Sequence, residues 1–117
     1  MDKAEFKQRT KLFALRVIRL VESLPTRTAN TIGNQLIRCG TSVGANYRAA
    51  CRARSNAEFI AKMGIVEEEA DESMFWMELL METGIVKKEL FESLFKEANE
   101  IVAIVVSSIK SSRANTR

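Results

Sequence analysis

Histidine is absent from the chain. Its absence removes the usual general base, the Ser-His and Cys-His nucleophile pairs, and the Glu-x-x-His ligands of di-iron bundles. Only two cysteines occur, Cys39 and Cys51, both in one helical segment. Twelve residues apart, they are poorly placed to bridge within that helix, and a reduced, cytoplasmic protein is expected. Neither a zinc-ligand spacing nor a phosphate-cradling glycine loop is present. No apolar run approaches ~18 residues, so no membrane span is expected. The opening Met-Asp-Lys-Ala-Glu-Phe has no apolar signal core. One proline and five glycines leave few places to break a helix.

What remains is a helix-forming composition. Of the 117 residues, 46% are hydrophobic and 28% charged, enough apolar material for a core and too much for a disordered chain. The length fits a single domain, 1–117.

Apolar residues recur at helical spacing in four segments. The first, about 3–24, carries Phe6, Phe13, Val17, Leu20, Val21 and Leu24, and Pro25 ends it. Thr26-Arg27-Thr28 reads as a short polar connection. The second segment, about 29–54, carries Ile32, Leu36, Cys39, Val43, Asn46 and Ala50, with Gly40, Gly44, Ala45 and Ala49 permitting a close neighbour. The third, about 56–83, opens on the capping box Ser55 to Glu58. It continues through Phe59, Met63, Val66, Ala70, Ser73, Met77 and Leu80, and Gly84 offers a left-handed stop. The fourth, about 87–111, has a buried side of Leu90, Leu94, Ala98, Ile101, Val105 and Ser108. A polar, frayed tail, Ser112 to Arg117, is expected after it. Long helices with short connections give an all-α, antiparallel up-down-up-down four-helix bundle. Helices of about 22 residues make a rod roughly 33 Å long.

The net charge is only +3, but its distribution is uneven. No acid lies between Leu24 and Glu58, whereas Arg27, Arg38, Arg48, Arg52 and Arg54 do. The third segment is strongly acidic, with Lys62 its one cation. Two readings stand. The charges neutralise each other between packed helices and on solvated faces, where exposed pairs are worth about 0–1 kcal/mol. Alternatively Arg48, Arg52, Arg54 and Lys62 form a phosphate-binding patch, extended by Arg16 and Arg19 or by Lys110 and Arg113. Few aromatics interleave these cations, so contact is expected with the nucleic-acid backbone rather than the bases.

Arg38, Ser42 and Asn46 follow at four-residue steps, facing an acidic edge of Glu69 and Glu72 beside Trp76. A buried hydrogen-bonded network that fixes register or assembly suits these residue types, because a buried arginine must be paired. Arg38 reaching water at the bundle margin is the plainer alternative. Glu67, Glu68 and Glu69 point in three directions around a helix and cannot converge on a metal. No metal, no cofactor and no catalytic residue is expected.

The segment Asn34-Gln35-Leu36-Ile37-Arg38-Cys39-Gly40-Thr41-Ser42-Val43-Gly44-Ala45-Asn46-Tyr47 resembles a signature of the bacterial four-helix bundle family first met in intervening sequences of 23S ribosomal RNA genes. Glu68 to Leu80, with Trp76 inside it, is similar to that family's second signature, and Leu24-Pro25 to its end of helix one. The resemblance covers nearly the whole chain. It implies a bundle that assembles into a ring, commonly a homopentamer, without known enzymatic activity. A related branch is the accessory protein of diversity-generating retroelements, a pentamer that binds nucleic acid and a reverse transcriptase. By that analogy RNA or DNA is the expected partner. Some members carry an acidic residue and a glycine where Arg48 to Cys51 stand, so the basic stretch is not common to the family. A second expectation is a protein adaptor that docks a partner enzyme such as a reverse transcriptase without touching nucleic acid. A third is an enzyme that uses carboxylates alone, centred on Glu68 and Glu72.

Overall fold

The protein is described by a computed structural model over residues 1–115. Among these residues every regular element is helical: α1 (Lys3–Glu22), a single turn α2 (Thr26–Thr28), a π-helical turn (Ala29–Gly33), α3 (Asn34–Cys51), α4 (Asn56–Glu82) and α5 (Glu89–Ala114). Because α2, the π turn and α3 run on without a break, the architecture is a four-helix bundle.

The helix ends follow from local chemistry. Asp2 caps α1, its Oδ1 accepting from the backbone N–H of Glu5 at 2.8 Å. Pro25 stops α1, but its φ of −54° and ψ of 143° restart the chain at once as α2. The expected loop Thr26-Arg27-Thr28 is therefore helical, and the second rod begins three residues earlier than the apolar spacing indicated. Ser55 Oγ accepts from Glu58 N at 3.1 Å to cap α4. The Glu58 carboxylate, however, turns back to the N–H of Arg54 rather than that of Ser55. Gly84 takes the left-handed conformation, φ +74°, that releases α4 into the last connection. Ser112 to Ala114, expected to fray, continue α5. There Asn56 Nδ2 donates to Ser112 O at 2.7 Å and ties the tail to the start of α4. Residues 116 and 117 of the expected tail lie outside the described residues.

Helix α1 packs on α3, α3 on α4 and α4 on α5, while a thinner seam between α5 and α1 closes the bundle. The core stripes follow the sequence periodicity with three shifts. Leu90 is 48% exposed and Phe91 is buried in its place. Ile109, not Ser108, is buried in the final turns of α5. Tyr47 replaces Asn46 in the core, its ring edge-on to Phe6 at 4.7 Å. Tyr47 and Ile109 lie one residue beyond the expected positions, as a straight helix of 3.6 residues per turn drifts against a 3.5-residue pattern, whereas Phe91 keeps the three-four alternation with Leu94, Ala98, Ile101 and Val105 that Leu90 breaks. The molecule measures 49 × 21 × 19 Å. It exceeds the expected rod length because α4 and α5 have 27 and 26 residues.

Helices α1 and α3 approach closely. A Cβ at Gly40 would stand 2.9 Å from Val17 Cγ2, and one at Gly44 would stand 3.3 Å from Thr10 Oγ1. The small residues of α3 thus bring the two backbones together, and a shallow groove opens along the outside of that contact.

Candidate nucleic-acid interface

The groove is about 430 Å³ and runs between α1 and α3. Lys7 and Lys11, one turn apart on α1, stand on one wall. Arg48, in the last turn of α3, stands on the other. Ala4, Ala14, Gly44 and Ala45 make a floor of small groups, and Gln8 and Thr41 add polar ones. No carboxylate lines it. All three cations are exposed, and among the described residues none forms an ion pair.

The other expected phosphate-binding residues are dispersed. Arg52 and Arg54 are exposed at the turn between α3 and α4. Lys62 is half-buried and stands two turns before Glu69 on the face of α4 turned towards α3. Arg48 and Lys62 therefore occupy opposite flanks of α3 rather than one cleft. Arg16 Nη2 donates to Ser93 Oγ at 2.8 Å, on the α5 side of α1. Arg19 is exposed on α1. Lys7 and Lys11 lie outside the basic patch expected from the sequence. The signal that marks them is a pair of lysines at i and i+4 on a face where Ala4 and Ala14 leave room.

The other polar feature lies at the margin of α3 and α4. Arg38 pairs through Nη2 with Glu72 Oε2, and its Nη1 stands 3.5 Å from Glu69 Oε2. Trp76 Nε1 donates to the same Glu72 oxygen at 3.1 Å. The Arg38 side chain is 51% exposed, so the cluster faces outwards rather than into the core. Ser42 and Asn46 do not join it across the helices. Ser42 Oγ donates to Arg38 O at 2.7 Å and Asn46 Nδ2 to Ser42 O at 2.9 Å, each one turn back on α3. Burial pushes the Glu69 carboxyl above its ordinary range; Arg38 opposes this, and Glu72 and Glu68 add to it. Glu69 Oε2 is buried and accepts no hydrogen bond.

Behind the cluster, Ser73 Oγ donates to Glu69 O at 2.8 Å and lies 3.3 Å from Cys39 Sγ. Burial raises the Cys39 thiol, which suits a packing residue rather than a nucleophile. Among the described residues no three His, Cys, Asp or Glu side chains converge as a metal site, and no helix is long and apolar enough to cross a membrane. Helix α4 also exposes separate apolar side chains, with Glu68, Glu69 and Glu72 between them. Phe75 is 50% exposed, with its ring 5.1 Å from that of Trp76, and Ile65 is 41% exposed.

Comparison with known proteins fits this architecture. The family model described as 23S rRNA-intervening sequence protein matches residues 2–107. A search of the curated proteins finds no match. Among solved structures, a protein with unknown function from the S23 ribosomal protein family of Bacteroides thetaiotaomicron is similar at 36% identity. The match covers 94% of this chain and 99% of that one, with a TM-score of 0.87.

Proposed function

This chain belongs to the 23S rRNA-intervening sequence protein family, and from that premise we propose that it is a non-catalytic bundle that joins copies of itself into a ring, a homopentamer, and binds the RNA or DNA backbone through a basic surface. The observation that carries the reading is charge without a partner. Lys7, Lys11 and Arg48 meet over a groove with no carboxylate in its lining, and Arg52 and Arg54 are exposed at the adjoining end of α3. Cations already paired within a fold have little left to offer a phosphate, whereas these do. Repetition around a ring multiplies a weak patch by avidity. Self-association is supported by the exposed Phe75, whose ring packs edge-on against that of the half-buried Trp76 on α4.

The test is binding of a labelled RNA and a labelled DNA oligonucleotide at 50 and 200 mM salt, with mass measured by light scattering. A multimer whose affinity falls steeply with salt is expected. A strict monomer at working concentration would remove the ring, and salt-insensitive binding would remove the phosphate contacts. The same aromatic pair favours a second reading, an adaptor that docks a partner enzyme such as a reverse transcriptase without touching nucleic acid. Stoichiometric recovery of one protein, unchanged by nuclease, is the result that would favour it.

A further inference from the structure

We infer that the α1–α3 groove is the seat of a single nucleic-acid strand, with Lys7, Lys11 and Arg48 holding successive phosphates and the sugars lying on the floor of Ala4, Ala14, Gly44 and Ala45. This rests on the reading above and goes beyond it by naming the place, the strandedness and two residues outside the expected basic patch.

Three features select this occupant. The first is charge: three cations, no acid in the lining, and no internal ion pair on any of the three. By contrast, three other guanidiniums are engaged within the fold, while Arg52 and Arg54 are exposed at the turn beyond the groove. Arg9 is held by Glu97 and Glu100, Arg38 by Glu69 and Glu72, and Arg16 donates to Ser93. The second is shape. The groove lies between two helices and its α1 wall runs from Ala4 to Ala14, about 15 Å along the axis. Such a trough takes one extended strand lengthwise, whereas a duplex is too broad to enter it. Lys7 and Lys11 are about 6 Å apart along the axis, close to the separation of neighbouring phosphates in an extended strand.

The third feature is the floor. Methyl groups and a bare glycine let a backbone lie close, and no aromatic side chain lines the groove to stack a base. The bases then point outwards, and binding is indifferent to sequence.

The test uses the full-length protein and a 20-nucleotide single strand of mixed sequence, with its duplex as a second probe. Four proteins are compared: the unaltered chain, Lys7→Gln with Lys11→Gln, Arg52→Gln with Arg54→Gln, and Ala45→Trp. All substituted positions are exposed, and helical signal checks that each variant folds. Losing two phosphate contacts should weaken single-strand binding roughly tenfold or more and lower the steepness of log K against log salt by about 1.4. Ala45→Trp leaves the charge unchanged and fills the floor, and it should weaken binding comparably with little change in that steepness. Binding by the unaltered chain that both groove variants leave intact would overturn the groove while the general reading stood. No binding by the unaltered chain would overturn both. A duplex bound as tightly as the strand would overturn the single-strand assignment. A change of mass in the lysine variant would make the groove a contact between copies of this chain, and that too would overturn the proposal.

Discussion

Replacing Gly40 by alanine and, separately, Gly64 by alanine should shift stability in opposite directions. Both glycines lie inside helices, so each substitution gains about 1 kcal/mol of helix propensity. Their surroundings differ. Nothing lies within 4 Å of a Cβ built at Gly64. At Gly40 the new atom meets Val17 Cγ2 at 2.9 Å, Cγ1 at 3.1 Å and Cβ at 3.3 Å. Three atoms of one β-branched, fully buried side chain are involved, so no rotation of Val17 clears them all. Relief requires α1 to move away from α3, an overpacking cost of about 1–3 kcal/mol. Gly64→Ala should therefore stabilise by about 1 kcal/mol, and Gly40→Ala should destabilise by about 0–2 kcal/mol. The propensity gain is common to both, so the gap between the two variants isolates the clash. Urea unfolding followed by the single tryptophan, Trp76, reads that gap. All samples share one protein concentration, because self-association shifts the midpoint. Adding Val17→Ala to Gly40→Ala should cost less than the sum of the two single changes, since each supplies what the other disturbs. A gap below about 0.5 kcal/mol, or strict additivity, would show that α1 and α3 do not approach as closely as described.

Three other outcomes are expected. Arg9 binds Glu97 through two hydrogen bonds of 2.7 and 2.8 Å, with Glu100 at 3.4 Å, across the thin α1–α5 seam. Arg9→Met should cost about 1.5–3 kcal/mol in chemical denaturation, and much of that should vanish when Glu97→Gln is already present. Glu69 binds more protons folded than unfolded at pH values from the ordinary glutamate range upwards, because its folded carboxyl is raised. Stability should fall as pH rises through that window, and Glu69→Gln should flatten the slope; an unchanged pH profile would contradict the burial argument. Arg38→Gln should change the emission of Trp76, whose indole shares Glu72 with that guanidinium, while leaving oligonucleotide affinity within about twofold.

Much of the bundle was legible because its core positions are spaced by a rule that does not depend on contacts. Met63, Val66, Ala70, Ser73, Met77 and Leu80 are all buried, as their alternation of three and four requires. The rule fails where its period accumulates error, which is why Tyr47 rather than Asn46 and Ile109 rather than Ser108 lie inside, while at the start of α5 it is Phe91, not Leu90, that keeps the alternation. It fails again at Pro25, where the same residue that ends one helix starts the next. The polar line of Arg38, Ser42 and Asn46 shows a different limit. Four-residue spacing correctly puts the three on one strip of α3, but it says nothing about whether a hydroxyl crosses to a neighbour or bonds its own backbone. Ser42 and Asn46 take the nearer acceptor, one turn back, which needs no partner helix.

The same distinction decides which positive charges can act on a partner. Counting arginines along the sequence singled out the second segment, with Arg16 and Arg19 behind it on α1, and passed over the lysines of α1, because a count treats every cation as equal. Pairing makes them unequal. Arg9 and Arg38 sit among carboxylates that α5 and α4 bring to them, and a phosphate would have to displace those contacts before gaining its own. Lys7, Lys11 and Arg48 meet no such competition, since the stretch of α3 that faces α1 lies within the acid-free run between Leu24 and Glu58. The absence of acid there therefore matters less for the arginines it contains than for the lysines of α1 that it leaves unpaired. A net charge of +3 can then present a concentrated positive groove on one side of the bundle while α4 carries the compensating acid on another.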